Sequence, residues 1–424
     1  MTSLPPQINP QWRPNPESAE MSMITQIRPI SLLSGNNRVE FIIPKYNEYC
    51  VDLAATQLAF SFKVTKEDGT KPKIDQGKHI ATINSMLDTM FSQISIKVNN
   101  EQISSCTNNH IVSFFSKYLN YSGEYRRSVL TSNRFFESAA GQEGKIAGKS
   151  YQDLEALVKD ASTCKCIGPM PHSFFATPKL LPPGVELNIA LTQTNSDLFL
   201  FGDITDKVKV NLTDVYLLVR LIKLESTILS SINESLNKSA YVIPFKNTVV
   251  KSYTLPKGET SVSIYSLFYG NLPNRVFCLQ VPTAAFLGTL ATTPLVFVHN
   301  DLKSYSFNFN GVNVPVQKVD FAIPGDGIDL FHHVNNVLGL NKNQHTSPGI
   351  TYEKYISDLF FIAENLDSDC SVSNATLPFT PGTLSLSLDF AKALTENTTL
   401  IVIAEFAQSY VQIDKHGAVK MIEK

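Results

Sequence analysis

From Val39 onward apolar and polar residues alternate with a period of two, which puts one row of side chains into a core and the other outside it. Leu58, Phe60, Phe62 and Val64 alternate with Ala59, Ser61 and Lys63, and Ile94, Ile96 and Val98 alternate with Ser95 and Lys97. Val185, Leu187, Ile189 and Leu191 follow Pro182-Pro183-Gly184. Val208, Val210 and Leu212 are separated by Lys209 and Asn211, and Leu384, Leu386, Leu388 and Phe390 follow Pro381-Gly382. Helical spacing is confined to short stretches. Ile111, Phe114, Phe115, Tyr118 and Leu119 predict one amphipathic helix behind Asn108 or Asn109. Leu330, Phe331, Val334, Val337 and Leu338 predict a second, behind Asp326 or Asp329 and stopped by Gly339. A third starts at Ser150, with Asp153 as capping-box partner and Leu154, Leu157 and Val158 as its apolar side.

The two halves carry these signals in the same order. Ile96 to Ile103 reads as a hairpin turning at Asn99-Asn100, and Phe307 to Val314 as one turning at Asn310-Gly311. These are residue pairs that accept the positive φ of tight turns. Each hairpin is followed by a short Phe-containing helix, a Phe-Phe pair (Phe174-Phe175, Phe360-Phe361), a Pro-Gly turn, an alternating strand and a closing apolar strand. Asn99 and Asn310 are 211 positions apart and Gly184 and Gly382 are 198 apart, a drift that loops of unequal length explain. The Ser- and Asn-rich stretch from Glu225 to Ala240 reads as the linker. The expected fold is therefore all-β: two tandem eight-stranded jelly rolls, residues 21–235 and 236–424, with a few short helices in loops. Pro5, Pro6, Pro10, Pro14 and Pro16 surround the single tryptophan, Trp12, and bar a helix or an interior strand there. Residues 1–20 thus read as an extended arm.

Composition narrows the function. Only 17% of residues are charged, against about 25% in typical soluble domains, so the surface is largely uncharged and suits a protein whose sides are covered by neighbours. A formal net charge of −2 supplies no electrostatic footprint for nucleic acid, and Lys117, Arg126, Arg127 and Arg134 read as a solvated basic face. The N-terminal sequence has no apolar signal core, and the longest apolar runs fall well short of the roughly 20 residues that span a bilayer. Cys50, Cys106, Cys164, Cys166, Cys278 and Cys370 are accordingly expected to be reduced. The Asn-x-Ser/Thr sequons at Asn120, Asn211, Asn233, Asn374 and Asn397 count as chance matches.

Catalytic and cofactor signals fail one by one. Gly144-Lys145-Ile146-Ala147-Gly148-Lys149-Ser150 imitates a phosphate loop but has Glu143 where the motif needs its first glycine. Cys164, Cys166 and His172 offer three zinc ligands at too tight a spacing and without a fourth. Asp329, His332, His333 and His345 read as helix-start and surface residues, and Asp367 and Asp369 as a solvated loop. Neither a nucleophile elbow nor a His-Glu-x-x-His helix occurs. No enzyme activity, metal or cofactor is expected. A carbohydrate-binding or glycoside-cleaving tandem β-sandwich is the alternative, for which the sequence displays neither a close carboxylate pair nor an aromatic platform.

The run INSMLDTMFSQISIKVNNEQISSCTNNHIVSFFSKYLNYSGEYRRSVL at 83–130 resembles the hairpin-and-helix segment of hexon-type capsid proteins of Polinton (Maverick) elements and adintoviruses. LPPGVELNIALTQTNSDLFLF at 181–201, YGNLPNRVFCLQVPTAAFLG at 269–288 and the run FNFNGVNVPV resemble further segments of that family in the same order. The resemblance implies a double jelly-roll major capsid protein. Three chains would form a pseudo-hexagonal homotrimeric capsomer of an icosahedral shell, found in the virion, with penton or minor capsid proteins as partners and no sequence-specific contact to nucleic acid. It fixes neither lattice size nor contact with an underlying membrane. Trp12 and Pro14 in the arm are the expected contacts to a neighbouring capsomer or to the inner face of the shell.

Overall fold

The computed structural model describes residues 19–31, 37–72, 78–204, 207–313, 317–319, 321, 327–340, 348–366 and 381–422. The first half contains β1 (Ala19–Ile27), β2 (Arg38–Ile43), β3 (Tyr49–Lys66), β4 (Ile80–Thr82), β5 (Phe91–Val98) and β6 (Glu101–Cys106). It continues with β7 (Cys164–Pro169), β8 (Leu180–Leu181), β9 (Leu187–Gln193), β10 (Leu200–Gly202) and β11 (Val208–Leu224). The second half contains β12 (Tyr241–Leu255), β13 (Ser261–Asn271), β14 (Arg275–Pro282), β15 (Leu302–Phe309) and β16 (Val312–Asn313). Then come β17 (Gln317–Lys318), β18 (Phe361–Asn365), β19 (Pro381–Phe390), β20 (Thr398–Ile413) and β21 (Val419–Ile422). The helices are α1 (Met86–Thr89), α2 (Asn109–Asn120), α3 (Gly123–Ser128), α4 (Lys149–Val158), α5 (Ser196–Phe199), α6 (Ser226–Lys238), α7 (Thr283–Leu287), α8 (Ile328–Val337) and α9 (Tyr352–Ser357).

In the first half one sheet runs β1-β11-β3-β7, with β8 also on β3, and the other runs β2-β9-β5-β6. In the second half the orders are β12-β20-β14-β18 and β13-β19-β15-β16, with β21 on β20 and β17 on β15. Counted in chain order, the eight principal strands of each half form sheets 1-8-3-6 and 2-7-4-5. This is one jelly roll made twice, and every inter-strand pairing within the four sheets is antiparallel. The alternation seen in the sequence fills the interiors. Phe60 meets Phe91 and Phe62 meets Phe199 edge to face in the first roll, while Phe268 meets Phe406 in the second.

The structure sharpens three local expectations. The Glu225–Ala240 stretch, which lies between β11 of one half and β12 of the other, is largely helix α6, in which the Ser230 and Ser231 hydroxyls donate back to the carbonyls of Ser226 and Thr227. The two Phe-Phe pairs are not equivalent: Phe174-Phe175 lies in a turn after β7, whereas Phe360-Phe361 leads into β18. The helix expected from Ser150 begins at Lys149, capped by Gly148 without a side-chain bond.

Candidate assembly surfaces

The two hairpin turns are built alike down to single atoms. Asn99 and Asn100 take φ of 45° and 71°, and Asn310 and Gly311 take 50° and 83°. In the first roll the Asn99 amide donates to the Glu186 carbonyl (3.0 Å), and the Glu186 amide donates to Asn99 Oδ1 (2.9 Å). In the second, the Asn310 amide donates to the Thr383 carbonyl (3.1 Å), and the Thr383 amide donates to Asn310 Oδ1 (2.8 Å). An asparagine thus fits twice over: it tolerates left-handed backbone, and its side chain fastens the hairpin to the start of the next-to-last principal strand, at Glu186 just before β9 and at Thr383 within β19. Asn99 does one thing more. Its Nδ2 donates to the carbonyl of Gly417 (2.7 Å), in the turn after β20, and so ties the first roll to the second.

The rolls share a wide contact. Phe115 of α2 leaves its own roll to pack edge to face on Phe277 of β14 and Phe361 of β18, at 5.6 and 4.9 Å. Phe174 packs on Phe245 of β12, and the Tyr241 hydroxyl donates to the Leu180 carbonyl. Beside this apolar contact sits a buried polar clasp. Arg126, fully buried, donates to Glu137 (Nε to Oε2, 2.8 Å) and to the carbonyls of Tyr121 (2.8 Å) and, across the roll boundary, Pro348 (2.6 Å), with its guanidinium over the Tyr118 ring. Lys354 of α9 reaches the other way to the carbonyl and hydroxyl of Ser138, and the Gly141 amide donates to Asp358 (2.8 Å). Burial raises the Glu143 and Asp358 carboxyls above their ordinary range despite these donors. The expected solvated basic face is therefore corrected in part: Arg126 and Lys117 are buried, Lys117 with its Nζ 3.3 Å from the buried Asp88, because their partners come from distant sequence.

What the rolls leave uncovered is apolar in places. Among the described residues β1 has a strand neighbour on one side only, and Met21, Met23 and Ile24 are 46%, 38% and 71% exposed. Val312 of β16 and Ile328 at the start of α8 are 69% and 53% exposed. Tyr265 and Tyr269 of β13 are each more than 80% exposed. The pairing of β13 with β19 is irregular between Ile264 and Phe268, the stretch that holds Tyr265. The exposed row beside them is hydroxyl-rich, with Ser263 bonded to Ser387 and Ser261 to Asp389.

Cys164 and Cys166 point inward from β7 against the Met86 sulfur instead of lying in a loop, and burial raises the Cys166 thiol. His172 is held by the Phe174 amide and the Ser104 hydroxyl. The five described cysteines are free and buried. Gly148 closes the glycine-rich loop onto α4, and Glu143 faces inward to Ser138 and Asn84. His333 bonds Glu364 at 3.1 Å and not Asp329. Among the described residues no cluster of three or more His, Cys, Asp or Glu is placed to hold a metal, and no helix is long and apolar enough to cross a membrane. Trp12, Pro14, His345, Asp367 and Asp369 lie outside the described residues.

No family model matches this chain. A Caenorhabditis elegans protein described as uncharacterized protein F54H12.2 is 20% identical over 321 residues, spanning 73% of this chain and 75% of that one. Among solved structures, a chain of the Sputnik virophage superposes with a TM-score of 0.62 at 10% identity, covering 100% of this chain and 93% of its own. The PBCV-1 virus capsid gives 0.57 at 11% identity over 99% and 100%. The mavirus major capsid protein gives 0.54 at 10% identity over 100% and 93%. At such identities the shared property is the fold: this chain is a double jelly roll, like these capsid proteins of virophages and a large DNA virus.

Proposed function

We propose that the chain is the repeating structural subunit of an icosahedral viral capsid, acting as a homotrimeric capsomer of pseudo-hexagonal outline and not as an enzyme. The observation that carries this is coverage: both rolls, in their order, match the mavirus major capsid protein over the whole of this chain and 93% of the other. Two rolls of one topology, fastened by Phe115 and the Arg126 clasp, make a stiff block with two similar sides, which suits a part that must repeat around a ring. The low charge of the chain favours lateral packing. The motif resemblance points to the Polinton and adintovirus type, with the virion as location and penton or minor shell proteins as further partners. In this reading residues 1–20, with Trp12 and Pro14, reach a neighbouring capsomer. Expression of the full chain should yield shells or hexagonal sheets in electron micrographs, and deletion of residues 1–20 should leave capsomers but abolish shells. Normal shells from the truncated chain would remove the arm from the account, and a full chain that never forms capsomers would remove the account itself.

Tyr265 and Tyr269 favour a second reading at one place. Two exposed aromatic faces beside serine hydroxyls are the platform a carbohydrate-binding sandwich needs. A glycan array answered by the full chain but not by Tyr265→Ala would support it, and silence from both would end it.

A further inference from the structure

Three sulfur atoms meet inside the first roll. Cys164 and Cys166 alternate along β7 and so share one face of it, the face on which their strand partners Phe62 and Phe60 are also buried. Both thiols converge on the Met86 thioether, with Sγ to Sδ distances of 3.6 Å from Cys164 and 4.0 Å from Cys166, and the two thiols bond each other. The spacing is held from both sides. Met86 is the first residue of α1, whose turn is fixed by the Ser85 amide donating to Asn84 Oδ1 (2.8 Å) and the Thr89 hydroxyl donating to the Ser85 carbonyl (3.0 Å). β7 is pressed against that turn at Gly168, where a Cβ would stand 2.8 Å from Leu87 and 2.1 Å from Asn133 Oδ1. None of the three sulfur residues is more than 2% exposed.

We propose that Cys164, Cys166 and Met86 form a binding site for a soft monovalent cation, Cu(I), held by three sulfurs inside the first roll. Metal–sulfur bonds of about 2.3 Å put the sulfurs of a trigonal site about 4.0 Å apart. The separations here, 3.6 and 4.0 Å, already suit it. Two thiolates and a thioether are the donors that such a cation selects. Zn(II) requires a fourth ligand, and the neighbouring candidates are engaged: His172 by Ser104 and the Phe174 amide, and Asp88 by the Ser85 hydroxyl and Lys117. Binding exchanges two protons for one cation: each S–H bond breaks, its proton leaves to solvent, and its electron pair forms the bond to the metal. One net negative charge remains, and the Arg134 guanidinium lies beside Cys164 to meet it. The way in is short. Among the described residues β7 is the end strand of its sheet, and Cys164 directly follows exposed Ser162 and Thr163. The bound ion pins this strand to α1, so loading stabilises the first roll. Sequence spacing shows only the Cys-x-Cys pair, because Met86 is 78 positions from Cys164.

The site stands or falls independently of the capsomer reading. The test uses the full chain with Cys370→Ser, kept free of oxygen and titrated with Cu(I) against a chromogenic Cu(I) chelator. The chain should take one equivalent from the chelator, and its thermal midpoint should rise. X-ray absorption should show three sulfur neighbours at about 2.3 Å and no nitrogen or oxygen. Cys164→Ala combined with Cys166→Ala should take no copper. Met86→Leu conserves side-chain volume and so keeps the fold, and it should hold the ion at least tenfold more weakly, with two sulfur neighbours instead of three. A chain that takes no copper, or an equivalent that persists in the double alanine variant, would overturn the site. Unchanged affinity in Met86→Leu would overturn the three-sulfur arrangement, and tighter binding of Zn(II) than of Cu(I) would overturn the choice of ion.

Discussion

His110, the second residue of α2, is 2% exposed, and among the described residues neither ring nitrogen has a hydrogen-bond partner. Burial pushes its pKa down from 6.5 to about 4. The folded chain therefore refuses a proton that the unfolded chain accepts. The resulting stability is present above about pH 6.5 and is lost as pH falls, at about 1.4 kcal/mol per pH unit, down to the folded value. The full window amounts to about 3.4 kcal/mol, of which about 2 kcal/mol is gone by pH 5. Replacing His110 by Leu removes both the unpaired nitrogens and the titration. At pH 7 His110→Leu should match or exceed the wild type, by about 1 kcal/mol. At pH 5 its advantage should grow by about 2 kcal/mol. Urea unfolding followed by far-ultraviolet circular dichroism at pH 7, 6 and 5 measures the difference, and background titrations common to both proteins cancel. A difference independent of pH would refute the claim that His110 is buried neutral.

Phe115→Ala should cost about 3–5 kcal/mol and split calorimetric unfolding into two transitions, because the ring joins the rolls; one transition with an unchanged midpoint would contradict this. Arg126→Met should cost about 3–5 kcal/mol by stranding Glu137, and Arg126→Met with Glu137→Leu should recover part of the loss in the same urea assay. Asn310→Ala should cost about 1–3 kcal/mol and speed hydrogen exchange at the Thr383 amide, with Asn310→Gly milder because it keeps the positive φ. The hydrogen bond to Glu364 raises the pKa of His333 above 6.5, so its contribution is full below pH 6.5 and is lost as pH rises through the folded value. The stability difference between wild type and His333→Gln should therefore shrink from pH 6 to pH 8, and a constant difference would discount the pair.

Strands and turns were legible in the sequence because their causes are local. Alternation such as Leu384 to Phe390 names a half-buried strand wherever it lies, and Asn-Asn or Asn-Gly names a tight turn. The repeat of the whole pattern then carried the two-roll architecture. The joint between the rolls was not legible. The spacing of Phe114 and Phe115 shows that α2 has an apolar face but not that Phe115 serves the other roll. Arg126 looked like a surface charge because two of its acceptors, Glu137 and the Pro348 carbonyl, are 11 and 222 positions away. Tyr265 and Tyr269 gave no platform signal either, since nothing in their local pattern says that both stay uncovered; their exposure depends on which strands and loops the fold places beside β13.

The central claim, that the chain is a self-assembling capsid subunit, is tested most directly by light scattering on the purified chain combined with negative-stain imaging. The account predicts a stable particle of three times the 47.0 kDa chain mass with a pseudo-hexagonal outline. A monodisperse monomer across the concentration range would contradict it.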